Sequence, residues 1–166
     1  MGKYGVASSV LVLFFVACST TPDPQPQALV ISPTETLDYL RGRLVGWEAQ
    51  DGDSWVRYDS ITMTDCVLIF TQSRNTKSGV HTLHHEYPLN LVGEADWFPT
   101  LGSSGVLMVA GRESAVIRLR WNREASVTHM KVDQLELPPE YGERITKAFN
   151  HLKRTCVSKI DNDPFQ

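Results

Sequence analysis

The side chains best suited to acid–base or metal chemistry are five histidines: His81, His84, His85, His129 and His151. The first three lie in one extended stretch, where His81 and His85 share a face. At roughly 3.3 Å per residue they stand about 13 Å apart, too far to chelate one ion together. His84 and Glu86 share the opposite face, so a metal site there needs a ligand from a neighbouring strand. The expectation is solvent-facing strand histidines and no metal. Gly102-Ser103-Ser104-Gly105 lacks the G-x-S-x-G spacing of a nucleophile elbow, and no strand leads into it. A flexible turn is the better reading. Asp51 and Asp53 in Gln50-Asp51-Gly52-Asp53 lack the further oxygen ligands and closing Glu of a calcium loop. There is no C-x-x-C, no H-E-x-x-H and no phosphate-cradling glycine loop. No catalytic residue, metal or cofactor is expected.

The cysteines carry more information. The first twenty residues, MGKYGVASSVLVLFFVACST, hold one charge at Lys3 and an uncharged, mostly apolar run from Val6 to Ala17, followed by Cys18. The run is about half the roughly 20 residues that cross a bilayer, so it reads as a cleaved export signal. Phe15-Val16-Ala17-Cys18 resembles the lipobox of bacterial lipoproteins, in which small residues precede an invariant Cys. Position −3 is Phe15, where that family prefers Leu. The resemblance implies diacylglyceryl transfer to the Cys18 thiol, cleavage before it, and membrane anchoring by two or more acyl chains. Ser19 follows the Cys in place of the Asp that retains such proteins in an inner membrane. This favours a lipid anchor in the outer membrane, facing the periplasm. The alternatives are an ordinary secretory signal cut after Ala17, which leaves a soluble protein, and an uncleaved anchor.

Removal of residues 1–17 from 166 leaves 149, enough for one domain with a real core. Loss of Lys3 takes the net charge from −3 to −4, which argues against nucleic acid as a partner. Cys66 and Cys156 remain as an even pair. In an oxidising compartment they are candidates for a disulfide worth roughly 4–5 kcal/mol in the chain-entropy model, or else two buried thiols.

Elements to position these residues follow from pattern. Residues 18–32 form a Pro-rich tether, 33–158 one globular domain, and 159–166 a flexible tail. Ser32-Pro33-Thr34-Glu35 is a capping box with an N1 proline. It opens a helix to about Leu44, with Leu37, Leu40 and Leu44 on one stripe. Trp55–Tyr58 and Ile61–Gln72 suggest strands, with a bend or bulge at Asp65-Cys66. Ser73–Gly79 suggests a polar turn and His81–Leu91 an extended stretch that Pro88 marks as an edge or end. Asp96–Ser104 suggests a loop. Gly105–Ala110 and Ala115–Trp121 flank Gly111–Ser114 as a hairpin. Val127–Leu137 suggests one strand with Val127, His129, Lys131 and Asp133 on a shared face. Pro138-Pro139 starts an amphipathic helix to about Cys156, with Arg144, Lys147, Lys153 and Arg154 mostly away from its apolar stripe.

The fold class expected is α+β: an N-terminal helix, a bent antiparallel sheet or small barrel of 6–7 strands, and a C-terminal helix. That order loosely resembles pleckstrin-homology-like domains, which implies a binding or scaffolding module. Fold alone does not settle function. Trp97 and Phe98, beside Pro99, and the cationic Arg118 and Arg120 are the candidate contact residues for a protein partner in the envelope. The alternatives are a binding module for a small apolar or glycan ligand and, after it, an envelope enzyme.

Overall fold

The computed structural model describes residues 31–100, 104–111, 117–121 and 127–161. They form an α+β arrangement in the order α1 (Pro33–Leu44), β1 (Glu48–Asp51), β2 (Ser54–Thr64), β3 (Val67–Thr76), β4 (Gly79–Pro88), β5 (Asp96–Pro99), β6 (Gly105–Ala110), β7 (Ile117–Trp121), β8 (Val127–Met130), β9 (Val132–Leu137) and α2 (Gly142–Asp161). No helix among the described residues is long and apolar enough to cross a membrane.

Local chemistry sets the start of α1. Ser32 Oγ accepts the Glu35 N–H at 3.2 Å, and Glu35 Oε2 accepts the Ser32 N–H at 2.8 Å. Two donors at the helix start are thereby satisfied, and Pro33 has no N–H to place. These hydrogen bonds hold the Glu35 carboxyl below its ordinary range. Leu37, Leu40 and Leu44 are buried as the stripe requires.

β1 to β4 form an antiparallel meander. At the β2–β3 turn Asp65 and Cys66 both have positive φ, 47° and 60°. This is the handedness of a type I′ turn, whose twist matches that of the strands it joins. β2 runs unbroken through a bulge between Tyr58 and Ser60, where pattern alone suggests two strands. The polar stretch 73–79 is mostly strand: Ser73–Thr76 pair with Gly79–Thr82, which leaves only Lys77-Ser78 to turn. Polar residues tolerate an edge-free ladder here because their side chains are only half-buried.

The largest departures come after β4. β6 and β7 do not form the expected hairpin with each other. β6 pairs with β9, from Gly105↔Leu137 to Ala110↔Val132, and β7 pairs with β8, from Ile117↔Met130 to Arg120↔Val127. β6 and β7 are therefore successive parts of one arm, and β8 and β9 of the other. The expected strand Val127–Leu137 breaks at Lys131, whose carbonyl accepts the Gly111 N–H at 2.7 Å. This bent unit crosses between sheets. β7 and β8 complete a six-stranded sheet, β1-β2-β3-β4-β7-β8, while β6 and β9 belong to a three-stranded sheet, β5-β6-β9. Asp96–Pro99, expected in a loop, supplies β5. Two antiparallel sheets thus replace the single sheet or small barrel of 6–7 strands. Strands that change sheets at a bend make the corner that closure would otherwise provide.

α2 covers the core with Ile145, Ala148, Phe149, Leu152 and Cys156. It begins after a turn at Pro138–Tyr141 and continues to Asp161, past the expected end and into the stretch read as tail. Lys153, expected mainly toward solvent, is buried. Asn150 clamps the helix to the chain before β5: its Oδ1 accepts the Ala95 N–H at 2.7 Å and its Nδ2 donates to the Ala95 carbonyl at 3.0 Å. Tyr58, Phe70, Tyr87 and Phe149 run edge-to-face across the interior, with ring centroids 6.1, 5.8 and 5.6 Å apart. Such pairs add about 0.5–1.5 kcal/mol each beyond the area they bury.

Trp97 lies against two glycines distant in sequence. A Cβ on Gly105 would meet its ring at 2.0 Å, and one on Gly142 at 2.2 Å. Gly142→Ala is therefore expected to destabilise the domain by about 1–3 kcal/mol through overpacking. The readout is a lower urea midpoint at unchanged slope. An unchanged midpoint would show that the indole moves aside at no cost.

Candidate functional site

The main titratable cluster among the described residues is buried. Three strands each contribute one polar side chain to an otherwise apolar face: Gln72 after Leu68 and Phe70 on β3, His85 between Leu83 and Tyr87 on β4, and Asp133 before Leu135 and Leu137 on β9. His85 Nδ1 lies 2.6 Å from Asp133 Oδ2, and its Nε2 lies 3.1 Å from Gln72 Oε1. The Tyr87 hydroxyl donates to the same Asp133 oxygen, and the other oxygen accepts the Gln134 N–H at 2.9 Å. The His85 and Tyr87 rings stack at 12°. Tyr58, beside this group, donates its hydroxyl to the Glu136 carbonyl at 2.7 Å.

The electrostatics follow from burial and partners. Burial by itself raises the Asp133 carboxyl. The hydrogen bond from His85 and the attraction to it, with the bonds from Tyr87 and the Gln134 N–H, outweigh this and hold the carboxyl below its ordinary value. Burial, then the neighbouring Asp133 charge, pushes the Tyr87 phenol well above its usual range, so it stays a donor. Burial does the same to Tyr58.

An Asp–His pair suggests proton transfer, but the surroundings argue otherwise. Both His85 ring nitrogens are engaged, and the residue is 4% exposed. A general base must reach the proton it abstracts, and this one faces only the core. The network instead ties β3 and β4 of the larger sheet to β9 of the smaller. His85 is thus a correction to the solvent-facing reading of the strand histidines. Asp133 is another, since the break at Lys131 takes it out of line with exposed Val127 and His129. For His85 the signal was legible as one polar residue between Leu83 and Tyr87 on an alternating apolar strand face.

The other residues singled out by sequence do not converge. Cys66 and Cys156 are joined, with Cα atoms 5.7 Å apart, and tie the β2–β3 turn to the buried side of α2. Trp97 is packed into the slot over Gly105 and Gly142, while Phe98 next to it is 49% exposed. Arg118 and Arg120 lie on β7, in register with Glu86 and His84 of β4. Cys18 lies outside the described residues. Among the described residues no three His, Cys, Asp or Glu side chains gather as metal ligands. Trp55, with the Arg57 guanidinium 5.6 Å from its ring, borders a shallow cavity of about 370 Å³ shared with Arg74, Asn75 and Glu136.

Fold and network together define a disulfide-stapled α+β domain with a structural polar cluster in its core. Compared with known proteins, the chain matches no family model, no curated protein and no solved structure.

Proposed function

We propose that this chain is a lipid-anchored lipoprotein of the bacterial cell envelope, a binding or accessory module with no catalytic activity of its own. One observation carries the reading: the Cys66–Cys156 disulfide. Such bridges persist in oxidising compartments, where an export signal would deliver the domain. Pairing these two of three cysteines leaves Cys18 alone at the end of the apolar run. The anchor is an outer-membrane one facing the periplasm, and the partner is another envelope component. Half-exposed Phe98, unlike Trp97, is a contact candidate that packing has not already used. The enclosure of the Asp133–His85 pair favours a non-catalytic role.

The test is metabolic labelling of the full-length protein with palmitate in a bacterial host, with intact mass of the mature form. The expected result is an acylated N-terminus at Cys18, and Cys18→Ala that takes up no label. A mature protein with an unmodified N-terminus would overturn the anchor.

A further inference from the structure

We infer that the groove between α1 and α2 binds a single-chain anionic amphiphile, its acyl chain along the floor and its carboxylate at the α2 rim. The groove measures about 490 Å³, within the roughly 300–1,000 Å³ of small-molecule sites. Its floor and walls are apolar, formed largely by Ile31, Tyr39 and Ala148. One rim is cationic through Arg144 and Lys147, both exposed, and next to them the His151 Nε2–H donates to the Ile31 carbonyl at 3.0 Å. The opposing Glu35 carboxylate accepts the Ser32 N–H and stays ionised, so the ligand's anionic head belongs at the α2 rim, away from it. A chain with a cationic or neutral head would leave Arg144 and Lys147 unmatched, whereas a carboxylate gains charge-assisted hydrogen bonds from them.

Two further observations favour a small ligand. Eight residues line the groove, well short of the roughly 20–30 a side that a stable protein interface uses. Tyr39 lines it too, and its hydroxyl oxygen is buried with no hydrogen-bond partner among the described residues. A buried hydroxyl left without a partner is unfavourable, so a small shift of the groove that lets a polar ligand atom or its water reach it is favoured. The inference stands on the groove alone and needs neither the lipid anchor nor a protein partner.

The experiment photolabels the full-length protein, held in amphipol, with dodecanoic acid bearing a terminal diazirine, and maps the labelled peptides. Label is expected in residues 31–39 and 144–151. Laurate should compete roughly ten-fold better than dodecanol or dodecyltrimethylammonium, the worth of one charge-assisted contact. Arg144→Glu with Lys147→Glu should weaken laurate competition at least about ten-fold at an unchanged melting midpoint. If the charge reversal disturbs folding, Arg144→Gln with Lys147→Gln should weaken it in the same direction. Label on other surfaces, or equal competition by all three amphiphiles, would overturn the assignment. The anchor is read separately, from the mass at Cys18, so either reading can fail alone.

Discussion

Replacing Cys66 and Cys156 together with alanine lowers the melting midpoint by roughly 10–15 °C, a loss of about 4–5 kcal/mol. The bridge spans 90 residues of sequence, so in the unfolded chain it restricts most of the domain. In the folded state it closes a natural gap. The β2–β3 turn presents Cys66 with positive φ, and Cys156 lies on the buried stripe of α2 two turns after Phe149. Next to it, Leu152 and Lys153 are buried at that end of α2. Arg154 pairs with Glu94 at 3.2 Å, but both side chains are more than half exposed, and such pairs contribute little. Further toward the helix start, the Asn150 clamp holds only the chain before β5. Reduction of the wild-type protein should therefore reproduce the alanine midpoint, and the alanine variant should ignore reductant. Equal midpoints for oxidised and reduced wild type would sink the idea.

Asp133→Ala is expected to cost about 3–5 kcal/mol at neutral pH, the usual consequence of removing one partner from a buried pair. His85 and Tyr87 would both lose their common acceptor. The effect depends on pH with a definite sign. The folded carboxyl titrates below its ordinary 3.8, so on acidification the unfolded state takes up the proton first. The stabilisation is whole above about pH 4 and drains as the pH falls through the folded value. Urea titrations across that range should show wild type converging on the variant below pH 4. A gap that stays constant down to pH 2 would show that Asp133 contributes through shape and not charge. A double-mutant cycle with His85→Ala should return a coupling of about 1–3 kcal/mol.

What was legible in the chain was whatever neighbouring residues decide among themselves. The capping box at Ser32 and Glu35 sets the start of α1, because the bonds it makes span three residues. Helical spacing alone identifies the buried stripe of α2 from Ile145 to Cys156, and Asp65-Cys66 marks a bend because a tight turn is a local event. The parity of Cys66 and Cys156 once Cys18 is set aside made a bridge plausible, but not their approach.

Tertiary structure decided the rest. Leu83-His84-His85-Glu86-Tyr87 places His85 with Leu83 and Tyr87 by simple alternation. Only Asp133, 48 residues on, and Gln72 make burial of its polar ring affordable. Asp133 faces inward because the strand breaks at Lys131 against Gly111, a contact that no pattern around Lys131 announces. Trp97 reads as an exposed loop aromatic until Gly105 and Gly142 form its slot. Caps, turns and periodicity depend on short-range backbone geometry, and so they are written along the chain. Strand partners, buried polar pairs and ring slots depend on which distant segments meet, and only the folded sheets settle that.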